Sequence, residues 1–196
     1  MKLAVLQLMR RPDAESERRV LAEASARAVA QGAEVVVPPA DISPDSASDL
    51  HALDVLGRVA FLAGDAAIDE AEYARLGQNP PDVLVLSPGA ESDIQAEAVF
   101  EVALELSISL AGLVIITERT GAEPGKPGHG GSAVIVLGQV VAEALSDDDL
   151  LIADVMVPVL APEPRAPLPK IPPILAQRLA HHRGQRLSVE YPADLS

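Results

Sequence analysis

Two carboxylates stand where apolar runs stop. Asp41 follows EVVVPPA, in which Val35 to Val37 favour an extended chain and Pro38 and Pro39, which cannot donate to a sheet, end it. Asp65 follows RVAFLAG, a second β-favouring run closed by Gly64. Strand ends of this kind form the mouth of open α/β sheets, where ligands usually bind. Two carboxylates in one cleft can split their pKa values and divide acid and base work, whereas single Asp residues at such places serve as turns and caps. Both readings stand for Asp41 and Asp65. His181 and His182 could be half a metal site, but adjacent helical residues face different ways and no third ligand is evident. They read as a solvated pair, with no metal and no cofactor. GAEPGKPGHGGS offers backbone amides to an anion, yet Gly125-Lys126 is followed by Pro127 and the loop precedes a strand, so a structural turn is the better reading. Asp147 to Asp149 read as a charged turn. The chain has no cysteine, which removes disulfides, thiolate metal sites and a thiol nucleophile together.

These residues need elements to hold them. LAVLQL (Leu3 to Leu8) reads as a buried strand. Pro12-Asp13 opens a helix capped by Asp13, with Val20, Leu21, Ala24 and Ala28 on its core face and Gly32 at its end. EVVV is the next strand, and a helix is expected over Asp49 to Leu56. RVAFLA (58–63), a short helix over Asp69 to Leu76, the strand DVLVLS (82–87), a long helix over Ser92 to Leu110 and the strand LVIIT (113–117) follow. After the loop from Glu118 come SAVIVL, QVVAEA and LLIADV with short turns, which read as a meander. Alternating strands and helices followed by strands make a layered α/β domain over residues 1–160. Residues 161–196 hold seven of the 17 prolines and read as an extended arm with one short helix, Ile174 to His181.

The 196 residues are 48% hydrophobic, enough for one core, but only two Phe, two Tyr and no Trp offer platforms for stacking bases. With a net charge of −14 as well, nucleic acid is an unsuitable partner. No apolar run approaches the roughly 18 residues that cross a bilayer, and the opening MKLAVLQLMRR is a strand rather than a signal peptide, so a cytoplasmic protein without a membrane partner is expected. The charge is uneven: residues 1–160 carry 10 Lys and Arg against 26 Asp and Glu, residues 161–196 carry 5 against 3. A cationic arm and an acidic body suit exchange of arms between the subunits of a homodimer. Leu168, Ile171, Ile174, Leu175 and Leu179 would otherwise lack cover in a solvated tail.

The order of pieces resembles the nitrilase superfamily of carbon–nitrogen hydrolases. Gln7 closes the first strand, Gly32-Ala33-Glu34 forms a corner, and VPPAD stands where that family has Phe-Pro-Glu. AGDAAIDEAEYARL is similar to its nucleophile elbow and helix, and DVLVLSP to its next strand. AVFEVALELSISLAGLVIITERTG and GHGGSAVIVLGQVVAEALSDDDLLIADV complete a likeness over about residues 1 to 157. The resemblance implies an αββα sandwich, trimmed because only about twenty residues from Ala40 to Arg58 replace a longer segment with a hairpin. Family enzymes use Glu, Lys and Cys as base, charge stabiliser and nucleophile. Here the Glu position is Ala40 and the Cys position is about Asp65, with Gly64 as its neighbour. The three lysines, Lys2, Lys126 and Lys170, lie elsewhere. Groups that act as a unit fail as a unit. The resemblance therefore implies a noncatalytic nitrilase-fold protein, a homodimeric scaffold or small-ligand-binding module. Two alternatives are an unconventional amide hydrolase using Asp65 and Asp41, and a regulatory partner of an active carbon–nitrogen hydrolase.

Overall fold

A computed structural model of the chain describes residues 1–39, 56–123, 126–145, 147–158 and 166–190. Strand β1 (Lys2–Met9) is the organising element, its Leu3 to Leu6 fully buried. It pairs in parallel with β2 (Val35–Val37), register Leu3↔Val35, and antiparallel with β10 (Asp149–Asp154), register Lys2↔Asp154. Its C-terminal end meets β6 (Arg119–Glu123), which pairs with β7 (Lys126–His129). The second sheet runs β3 (Val59–Ala63), β4 (Val83–Ser87), β5 (Leu113–Ile116), β8 (Ala133–Val136), β9 (Gln139–Glu143), with β3 to β5 parallel and the rest antiparallel.

Three apolar layers follow from the period of two along these strands. Leu3, Val5, Val83, Val85, Leu113, Ile115 and Leu151 face one another between the sheets. The alternate residues of the second sheet, among them Leu84, Leu86, Val114 and Ile116, meet helices α2 (Glu70–Gly77), α3 (Asp93–Ser109) and α4 (Pro173–Glu190). The alternate residues Leu6 and Leu8 of β1 meet α1 (Ala14–Ala30) through Ala24. The order helix, sheet, sheet, helix is the αββα sandwich. Helix starts sit where the sequence puts them: Asp13 accepts from Ser16 N at 2.8 Å, Asp69 from Ala71 N at 3.0 Å, and Ser92 caps α3.

Three expectations are corrected. The Gly-rich stretch after Glu118 is the hairpin β6–β7 rather than a loop, because its glycines let two backbones touch: a Cβ on Gly128 would lie 2.5 Å from the Arg119 carbonyl oxygen. The last three strands are not a meander, since β10 leaves the second sheet and pairs with β1. The arm helix runs to Glu190, well past His181, and its apolar residues are covered by their own body. Leu175 is fully buried and Leu179 nearly so, with Leu168, Ile171 and Ile174 packed against the same core. The helix expected over Asp49 to Leu56 lies largely outside the described residues, as does the segment that would show trimming. Among the described residues no helix is long and apolar enough to cross a membrane.

Candidate functional site

Strands β3, β4 and β5 are adjacent and parallel, so their C-terminal ends open on one mouth. β3 delivers Asp65 there. Gly64, with φ +55, turns the chain at the strand end and opens a short 3-10 turn through Ile68, of which Asp65 is the second residue. β4 delivers the loop from Pro88 to Ser92, and β5 delivers Glu118 and Arg119. Ala40 and Asp41 lie outside the described residues, so the pairing of Asp41 with Asp65 has no geometry to report.

What does meet Asp65 comes from the arm. In α4, Leu175, Arg178, Leu179 and His182 recur at helical spacing on one face. The two leucines anchor that face in the core, and the two cationic side chains thereby reach the mouth. His182 Nδ1 lies 2.8 Å from Asp65 Oδ1, and its Nε2 lies 3.2 Å from Glu91 Oε1. A ring between two carboxylates donates to both only when doubly protonated. Arg178, with its side chain 5% exposed, donates to the Pro88 carbonyl at 2.7 Å and has its Nε 3.7 Å from Glu91. Arg183 adds an ion pair to Asp69, the cap of α2. His182 is thus a half-buried member of a polar network with Asp65 and Glu91, which corrects its reading as a solvated residue; His181 is exposed.

Beneath the network lies a polar seam that links the sheets. Glu118, 5% exposed, accepts from the amides of Gly89 at 3.0 Å and Ala90 at 3.2 Å. Its own amide donates to Ser132 Oγ, and the Ser132 amide donates to the Gln7 side chain at 2.9 Å. Burial pushes the Glu118 carboxyl up to about 7, against the pull of the two amides and the Arg178 guanidinium in the other direction. Glu118 therefore fixes the loop that α4 grips from above. Chemically, the mouth holds one carboxylate against a histidine and one carboxyl that titrates near neutrality. Among the described residues no group of three His, Asp or Glu converges as metal ligands.

Of the residues singled out in the sequence, Asp65 and His182 are at the mouth, His182 in a role not foreseen, while Glu91, Glu118 and Arg178 join them unforeseen. A signal existed for all but Glu91. Glu118 and Arg119 are charges placed directly after a fully apolar strand, and Arg178 and His182 share the periodic stripe of Leu175 and Leu179.

Neither a protein-family model nor a curated protein matches the sequence. Solved structures do. A cysteine-to-serine mutant of the Nesterenkonia AN1 amidase from the nitrilase superfamily superposes with a TM-score of 0.61 at 14% identity, covering 97% of this chain and 98% of that one. A cysteine-to-alanine mutant of the amidase from Nesterenkonia sp. AN1 in complex with butyramide gives 0.60 at 16% identity, over 79% and 90%. A glutamate-to-leucine mutant carrying the acetamide moiety of fluoroacetamide on its active-site cysteine gives 0.60 at 14%, over 97% of each chain. The shared property is the fold: the chain has the αββα architecture of nitrilase-superfamily amidases.

Proposed function

We propose that this chain is a nonhydrolytic nitrilase-fold protein that works through its surfaces, as a homodimeric scaffold or a small-ligand-binding module. One observation carries the reading. Asp65, at the position that the resemblance gives to the nucleophile, is hydrogen-bonded to His182 from the chain's own arm, in a sequence without a cysteine. An acyl intermediate on sulfur has no atom to form on, and the arm side chains occupy the mouth. Incubation with aliphatic amides, nitriles and carbamoylated amines is expected to give no product, and intact-mass spectra no adduct. Turnover that disappears in Asp65→Asn would overturn it. The dimer, with or without exchanged arms, is tested by light scattering; in an exchanged dimer Leu175 and Leu179 would seat in the partner's core.

A second reading has one contact in its favour. The Asp65–His182 pair is an acid–base couple that could activate water toward an amide, with Asp41 supplying a second carboxylate. It requires turnover that His182→Ala and Asp65→Asn each abolish.

A further inference from the structure

Helix α4 is seated in two ways along its length. Leu175 is fully buried, and Arg178 and Leu179 nearly so. From Ala180 to Gln185 every side chain except that of His182 is exposed. Gly184 also places a poor helix former in this stretch, with nothing within 4 Å of where its Cβ would be. The end is held by the polar contacts of His182 and Arg183. Arg183 keeps its charge at every pH considered, but its side chain is 57% exposed, and ion pairs so open to water contribute little. His182 is the contact that can change.

Its ring bridges two elements, with Nδ1 2.8 Å from Asp65 Oδ1 on the turn after β3 and Nε2 3.2 Å from Glu91 Oε1 on the loop after β4. An imidazolium donates to both carboxylates. A neutral ring carries one hydrogen, so its second nitrogen turns a lone pair toward a carboxylate oxygen. The closed arrangement therefore requires a proton that an imidazole lifted into water gives up above about pH 6.5, the ordinary histidine value. Among the described residues, the other charged groups around the ring are Asp69 and Glu70 at the start of α2, Glu118 beneath the Pro88–Ser92 loop, and His181, Arg178 and Arg183 on α4. Asp69 faces Arg183, and Glu70 accepts from the Ile171 amide. Arg178 comes within 3.7 Å of Glu91 but donates to the Pro88 carbonyl, so it does not stand in for the imidazolium between Asp65 and Glu91. Glu118 acts in the same sense as the ring: burial holds its proton up to about 7, and water admitted under a lifted helix favours its release.

We propose that the end of α4 beginning at Ala180 is a proton-dependent latch on the mouth: protonated His182 ties it across the turn after β3 and the loop after β4, and loss of that proton lets the end lift and bares Asp65. This rests on the reading that arm side chains occupy the mouth, and it adds regulation of that same site. Local opening of this kind is read by amide hydrogen exchange on the full chain, expressed as protection relative to the unstructured rate at each pH. Protection of Ala180 to Gln185 is expected to fall about tenfold between about pH 6 and about pH 8, because one proton released per opening shifts the opening constant by up to about tenfold per pH unit. Protection of Ala98 to Ser107 in α3 is expected to stay within about twofold, since the body remains closed. His182→Gln has no ring to titrate, and in Asp65→Asn the amide can donate to a neutral ring, so in both the α4 profile is expected to be flat within about twofold. Flat protection of α4 in the unaltered chain, an undiminished fall in either variant, or an equal fall in α3 overturns the latch. The hydrolysis assay is independent of it: product formed there bears on the nonhydrolytic reading and not on the exchange profile.

Discussion

Asp65 and His182 stand 117 positions apart in the chain, and their side chains meet at 2.8 Å. The contact joins the second residue beyond β3 to the arm helix, and it makes the arm part of the mouth rather than a tail behind it. With Asp65 15% and His182 26% exposed, it is more than a surface pair yet open to screening. Asp65→Asn and His182→Ala are each expected to cost about 1 kcal/mol, and the double variant little more than either. Urea melts of the four proteins give the coupling; strictly additive losses, or a gain on neutralising Asp65, would show the pairing to be unimportant or strained.

Glu118 links stability to pH. Its carboxyl titrates near 7 in the fold and near the ordinary glutamate value when unfolded, because burial disfavours the charged form. Between those values the folded state holds the proton and the unfolded state does not. Stability from this residue is full below the unfolded value, falls as pH rises toward 7, and is level beyond, for a total of at most roughly 3 kcal/mol. Glu118→Gln, which keeps an acceptor for Gly89 and Ala90, is expected to remove this fall. The midpoint of urea unfolding, measured from pH 4.5 to 8 in both proteins (the interval of about 4.3 to 7 set by the two carboxyl states), makes the comparison.

The arm helix contributes core, and single residues show it. Leu175→Ala is expected to destabilise by about 2–5 kcal/mol, since Leu175 is fully buried among residues of the second sheet's outer layer. Leu145→Ala, at a position 90% exposed, is expected to change stability by no more than about 0.5 kcal/mol. Similar values for the two would show that α4 is not seated as described.

Two glycines of the hairpin region separate contact from conformation. An alanine at Gly128 would drive its Cβ against the Arg119 carbonyl, and one at Gly131, with φ +92, would meet nothing within 4 Å. The second pays only the left-handed strain of about 1–2 kcal/mol. Gly128→Ala is expected to cost more and to loosen the β6–β7 hairpin, visible as faster amide exchange there but not at Gly131→Ala.

The layered architecture was legible because it rests on local rules. Apolar runs of strand length, the Asp13 and Ser92 caps and the α3 stripe each name their own element. What escaped depended on distant partners. β10 looks like the third strand of a meander until β1, 142 to 152 residues earlier in the registered pairs from Gln7↔Asp149 to Lys2↔Asp154, claims it; nothing local in LLIAD names that partner. The prolines of the arm spoke for an extended tail, yet they only set the entry to a helix whose leucines find a core. At the mouth, Asp65 was found from its place after a strand. His182 and Arg178 were not, because a charged residue on an apolar stripe reads as solvent-facing until its partners Asp65, Glu91 and Pro88 are in view.

The pairing of Lys2 with Asp154 also governs the order in which the molecule can be made. Strand β1 leaves the ribosome ahead of the rest of the sandwich and can find β2 early, but its other long edge waits for nearly the last strand of the sandwich. Until then the layer between the sheets lacks Leu151, Ala153 and Val155, and the apolar side of β1 stays open to wrong partners. Closing so large a loop is slow because its entropy is lost before the contacts that repay it form. Nascent chains stopped before Asp149 should therefore be protease-sensitive throughout the first sheet, and protection should arrive in one late step when β10 is released.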